Sequence, residues 1–158
     1  MPLPVISNGK TVDPRDKKST KVLQLETAMG SAIECFEGAA AILIPRSRFA
    51  PVKTTADLLA LSSDAYEITP DSRMQLCAAR NGVPPTVKLD DGYKFVDQLA
   101  TLTKGGVPSL INCTKLTVEG KVELAPGVVI EGSVKICNKA DDVKVWPART
   151  YKDETVEL

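Results

Sequence analysis

Apolar positions along this chain follow two rhythms, a three-to-four-residue beat in the first part and alternation near the end. Residues 4–7 read as a strand leading into a polar turn at Asn8 and Gly9. Residues 11–19 are charged, hold Pro14 and show no apolar period, so they form a surface loop. From residue 22 to about 40, Leu25, Met29, Ala32 or Ile33, Phe36 and Ala40 recur at helical spacing, which predicts a helix with one buried face. Gln24, Glu26 and Glu34 then fall mainly on its solvated faces rather than forming a carboxylate pair. Ile42, Leu43 and Ile44 predict a short buried strand, stopped by Pro45. After Pro51, Thr54 or Thr55 opens a helix, with Asp57 placed to complete a capping box from Thr54. Leu58, Leu59 and Leu61 give that helix its apolar stripe, and it ends near Tyr66.

Beyond it the chain is irregular through Thr69, Pro70 and Asp71, with a short helical turn expected over residues 74–80. The breakers at residues 81–85 make the best domain boundary. The run 86–89 and a turn at Asp91 and Gly92 follow, and Phe95, Leu99 and Leu102 mark one short amphipathic helix. Gly105 and Gly106 precede Pro108 and open no helix, so they form a turn rather than a phosphate cradle. Residues 117–124 recur as residues 129–136, an offset of 12. Val118, Val122, Val128, Ile130, Val134 and Ile136 then point into one interior, while Glu119, Lys121, Glu123, Glu131 and Lys135 face water. Twelve is two hexapeptide units, the spacing of a left-handed parallel β-helix. An antiparallel meander turning at residues 125–127 shows the same alternation, so periodicity leaves both arrangements open.

Composition narrows the function classes. A 43% hydrophobic content makes the chain globular rather than disordered, and 158 residues suffice for one ordinary domain or two small ones. Twenty Lys and Arg against twenty Asp and Glu leave no net charge, so a general nucleic-acid or anionic-membrane role has no electrostatic support. No apolar run reaches membrane-spanning length and no signal-peptide pattern is present. Cys35, Cys77, Cys113 and Cys137 form no CxxC pair, which suits free thiols in a reducing cytoplasm. The absence of histidine removes His-based acid–base catalysis and His-ligated zinc. Asp141, Asp142 and Glu131 match no calcium-loop spacing and read as solvated.

The chemistry that remains is cationic. Lys53 sits just ahead of a helix start, where free N–H groups and the helix dipole attract phosphate. Arg46 and Arg48 lie on the incoming loop. The residue types admit two readings, a polyanion seat or three solvated cations on an ordinary turn.

The blocks that hold these cations resemble a known signature. Residues 45–49 (Pro-Arg-Ser-Arg-Phe), then 51–55 (Pro-Val-Lys-Thr-Thr) and 57–59 (Asp-Leu-Leu) are similar to the eukaryotic UTP–glucose-1-phosphate uridylyltransferases, the UDP-glucose pyrophosphorylases. Upstream, Asn8, Lys10, Thr11 and Asp13, then Gln24, Leu25, Glu26, Thr27, Ala28, Gly30, Ala32, Ile33, Phe36 and Glu37, match that family in the same order. Ala50 departs from the pattern, which usually has a larger apolar residue there. The resemblance implies an α/β fold. Residues 1–80 would be the last segment of a Rossmann-like nucleotidyltransferase mixed-sheet domain, 81–105 a linker with a short helix, and 106–158 a small left-handed β-helix.

It also implies uridylyl transfer from UTP to glucose 1-phosphate with Mg²⁺, Lys53 being catalytic and Arg46 and Arg48 binding phosphate. The Gly-rich nucleotide loop, the uracil pocket and the metal carboxylates would belong to a missing N-terminal catalytic part, so this chain alone would be inactive. The alternative is a non-catalytic module that associates, with itself or another domain, through the open ends of the β-helix.

Overall fold

The computed structural model describes residues 3–45 and 49–157, and the chain divides into two units, 1–45 and 46–158. In the first unit, strand β1 (Val5–Thr11) pairs antiparallel with β2 (Lys21–Thr27), Val5 opposite Thr27 and Thr11 opposite Lys21. The link between them is the expected charged loop, closed by Val12 N–H donating to the Thr20 carbonyl at 2.9 Å. Asp13 and Asp16 stiffen it by accepting from the N–H groups of Arg15 and Lys18, each at 2.8 Å. The turn expected at Asn8 and Gly9 is absent, because β1 runs straight through them.

The long helix over residues 22–40 does not form. Residues 21–27 are strand, and a 3-10 helix occupies Met29–Cys35. Val22, Gln24 and Glu26 alternate with Leu23, Leu25 and Thr27, so the period-two pattern satisfied by β1 overrides a helical beat that straddles the break at Ala28. The buried strand expected at residues 42–44 is also absent: Ile42 and Leu43 are 88% and 96% exposed. An apolar run becomes a buried strand only when a sheet lies beside it, and no described residue supplies one.

The second unit opens with helix α1 (Thr55–Ser62), which buries Leu59 and Ala60. It stops four residues short of Tyr66, where Ser63 Oγ donates to the Ala60 carbonyl at 2.6 Å and accepts from Ala65 N–H. The antiparallel ribbon β3 (Tyr66–Ile68) and β4 (Met74–Leu76) follows. The helical turn expected over residues 74–80 is therefore confined to a 3-10 turn at Ala78–Arg80.

Strand β5 (Thr86–Leu89), helix α2 (Val96–Leu102) and the strands β6 (Ser109–Glu119), β7 (Val122–Leu124), β8 (Val129–Cys137), β9 (Lys144–Trp146), β10 (Thr150–Lys152) and β11 (Thr155–Glu157) complete the unit. One sheet runs β10-β8-β6-β5 with β11 also on β8, and a second pairs β7 with β9, all parallel. Parallel pairing rules out the antiparallel meander.

It also corrects the repeat. Leu116 lies opposite Val134 and Val118 opposite Ile136, so the stacked strands are eighteen residues apart there rather than twelve. The twelve-residue similarity arises because both copies cross a glycine of positive φ, Gly120 at +79° and Gly132 at +63°.

The six alternating residues expected inside are all buried, together with Leu110, Leu116, Leu124, Trp146 and Tyr151. Along β6 the alternation is broken by register shifts, and there Arg80 supplies what a neighbouring strand would. Its guanidinium donates to the carbonyls of Ile111 (3.0 Å) and Cys113 (2.7 Å), upstream of the segment that β5 covers.

The turns are stacked as tightly as the strands. Asn138 donates to the Lys121 and Asp142 carbonyls at 2.7 and 2.8 Å, and Asp90 accepts from Gly120 N–H at 2.6 Å. A Cβ on Gly120 would stand 1.9 Å from the Asn138 carbonyl oxygen, whereas one on Gly127 (φ +83°) would meet only the Ala148 methyl at 3.9 Å. Gly127→Ala should therefore cost only the left-handed backbone term, about 1–2 kcal/mol, and Gly120→Ala clearly more. Denaturation midpoints of the two variants check this. Equal losses would mean that the turns do not stack as described.

Candidate functional site around Lys53

Thr54 caps α1 with its side chain, and the cap is reciprocal: Thr54 Oγ1 accepts from Asp57 N–H at 3.2 Å. The Asp57 carboxylate returns the bond. Its Oδ2 accepts from Lys53 N–H (3.0 Å), Thr54 N–H (2.8 Å) and the Thr54 hydroxyl (2.8 Å). Burial alone would push the Asp57 carboxyl up. The Thr54 hydroxyl, the two N–H donors and the Lys53 charge outweigh burial and hold it below the usual carboxylate range. Because the folded value is lowered, the clasp stabilises the fold fully above the pH where a free carboxyl titrates. That stability fades as pH falls through the lowered value.

The helix that Lys53 precedes is held to the strand region at both ends. Near its start, Thr55 Oγ1 donates to the Tyr93 carbonyl. Tyr93 is itself buried, its hydroxyl donating toward the Gly120 and Val122 carbonyls and accepting from Val122 N–H. Just past the helix end, the Asp64 carboxylate accepts from the Ser109 hydroxyl and, at 2.7 Å, from Leu110 N–H. Lys53 is thus an exposed cation at the start of a rigidly held helix. That arrangement can present a positive charge to a polyanion without reorganising the backbone. Arg46 and Arg48 lie outside the described residues.

Other chemistry-bearing groups are engaged in structure. Glu26 accepts from the carboxamides of Asn8 (3.0 Å) and Gln24 (3.1 Å) across the β1–β2 ribbon, a strand network rather than a helix face. Burial raises the Cys113 thiol to about 11, only partly opposed by Arg80, so it stays protonated and unreactive near neutrality. The four cysteines are free thiols.

A groove of about 780 Å³ lies between the α2 region and the stacked turns, and Lys53 does not line it. Its Asp90, Tyr93 and Asn138 hold turns together, so these polar groups are already satisfied. Among the described residues no group of three acidic or thiol side chains gathers to hold a metal ion. No described helix is long and apolar enough to cross a membrane. Sequence reasoning missed Asp64, Asp90, Tyr93 and Asn138, whose partners lie 17 to 46 residues away.

Comparisons with known proteins bear on the family of the chain. A UTP–glucose-1-phosphate uridylyltransferase family model matches residues 1–131. The uridylyltransferase of Pyrus pyrifolia is 40% identical over 136 residues, 86% of this chain and 28% of that protein. The Saccharomyces cerevisiae protein is 39% identical over 132 residues, 84% of this chain and 26% of that protein. A Trypanosoma brucei UDP-glucose phosphorylase structure superimposes with a TM-score of 0.93 at 50% identity, covering 100% of this chain and 35% of that one. A Leishmania major UDP-glucose pyrophosphorylase solved with UDP-glucose gives 0.86 at 49% identity, covering 99% and 33%. The chain therefore spans between a quarter and about a third of these relatives' lengths, and it belongs to the UTP–glucose-1-phosphate uridylyltransferase family.

Proposed function

We propose that this chain contributes Lys53 to uridylyl transfer, the reaction of UTP with glucose 1-phosphate to give UDP-glucose and pyrophosphate. The observation that carries the reading is an exposed lysine on the capped, anchored start of α1, in a chain of this family. A phosphate oxygen of glucose 1-phosphate attacks the α-phosphorus of UTP. The bond from that phosphorus to the bridging oxygen breaks, and the electron pair leaves with pyrophosphate. Lys53 offsets negative charge that grows on the phosphate oxygens during this displacement. Arg46 and Arg48, ahead of it in the sequence, would bind phosphate beside it, and Mg²⁺, which residues outside this chain would hold, would supply further charge neutralisation.

The rest of the active site comes from the other two thirds of the fold, in the same polypeptide or in a partner. The β1–β2 ribbon favours such a complement: Val5, Leu23 and Leu25 share one face of it and are all exposed. Residues 1–80 would complete the catalytic sheet, 81–105 link, and 106–158 form a left-handed β-helix. The eighteen-residue spacing where Leu116 and Val118 of β6 meet β8, equal to three hexapeptide units, supports that last assignment. The working compartment is the cytoplasm. A second reading is an association module, self-pairing included, and what favours it is that β10 and β11 each pair only with β8, on one side.

The test is an assay of UDP-glucose formation with UTP, glucose 1-phosphate and Mg²⁺. The chain alone should give none and bind UTP only weakly by calorimetry. Adding the remaining two thirds of a relative's fold should restore turnover. Micromolar UTP binding by the chain alone would show that far more of the site lies here, and no turnover from the completed assembly would leave the association reading.

A further inference from the structure

We propose that Asp57 is a positioning residue for Lys53, tying the lysine's backbone to the helix so that its ammonium is delivered in one direction. This rests on the reading of Lys53 as the phosphate-facing cation. A helix cap needs only the Thr54 side chain on the N–H of Asp57, and that bond is present at 3.2 Å. Asp57 does something further: a single carboxylate oxygen, Oδ2, gathers the N–H groups of both Lys53 and Thr54 and the Thr54 hydroxyl. Lys53 precedes the cap, outside the helix, where no helical hydrogen bond constrains the chain. The Asp57 carboxylate is the group that carries helix order one residue upstream to it. Hydrogen bonds to an ionised acceptor are also stronger than neutral ones, which suits a clasp on exposed backbone.

Three variants separate positioning from simple capping. Thr54→Val removes the cap hydroxyl but leaves the carboxylate on Lys53 N–H. Asp57→Asn keeps an acceptor oxygen, and Asp57→Ala removes it. In the chain itself, amide exchange at Lys53 should quicken by about tenfold in Asp57→Ala and change little in Thr54→Val, on the scale of one charge-assisted bond. In the completed enzyme, Asp57→Ala should lower kcat by about tenfold or more with KM little changed, and Asp57→Asn should recover most of it.

Placed on Lys53→Ala, the Asp57→Ala change should have no further effect on kcat, because its action runs through that side chain. Equal losses in Thr54→Val and Asp57→Ala, tracking helix stability, would overturn the proposal. So would an undiminished Asp57→Ala effect in the Lys53→Ala enzyme. If Lys53→Ala alone keeps native turnover, the assignment of Lys53 fails instead, while the amide exchange still reports whether the clasp exists.

Discussion

Lys53→Ala, in an enzyme completed by the remaining two thirds of the fold, is expected to lower kcat by about 10²–10³-fold, the cost of removing one preorganised charge-stabilising donor. In the proposed reaction substrate and product would both be polyanions, so the displacement would concentrate negative charge where two phosphate groups already repel. Lys53 would answer this from a fixed base: α1 is capped at its start, tied to Tyr93 through Thr55 and anchored past its end through Asp64. The side chain is exposed and outside the core, so its truncation should leave the denaturation midpoint where it was. Lys53→Arg should rescue poorly, because a planar fork differs in size and shape from a compact ammonium. The measurement is kcat at saturating substrate beside a denaturation curve for each variant. Near-native turnover of Lys53→Ala with an intact fold would remove Lys53 from the mechanism.

Ile130→Ala is expected to destabilise the chain by about 2–5 kcal/mol, against about half a kcal/mol or less for its neighbour Glu131→Ala. Ile130 is fully buried and sits in β8, opposite Tyr151 of β10. A parallel stack this narrow has little room to close around a void, so the cavity term is retained. Glu131 points outward, with Lys152 at 3.2 Å as an exposed ionic partner, and such pairs contribute little. Each parallel strand rests on the next, so ending the chain at Gly127 should also unravel the β6 strand that β8 covers. Chemical denaturation of the two point variants and the truncation decides the matter. Small, equal effects would mean that the alternating residues do not line a shared core.

What the sequence determined by itself is whatever closes within a few residues or repeats with a clear period. The capping box joins Thr54 to Asp57, three positions on, and it formed as its residue types demand. Helix α2 was legible from Phe95, Leu99 and Leu102, and the six inward residues of the late strands from their alternation. Lys53 was placed at a helix start for the same reason, since caps are local.

Tertiary structure decided everything whose partner is distant. Residues 21–27 carry a pattern compatible with helix or strand, and the choice went to strand because β1 lies alongside to take their hydrogen bonds. The stacking interval of eighteen could not be read from the twelve-residue similarity, because that similarity records turn chemistry at Gly120 and Gly132 and not which strands meet. The holds by Asp64, Asp90, Tyr93 and Asn138 join residues 17 to 46 apart, and a single sequence does not mark which polar side chain will meet which distant backbone group. Local hydrogen bonds are specified where they are written; long-range ones exist only once the chain has closed its loops and brought both partners out of water together.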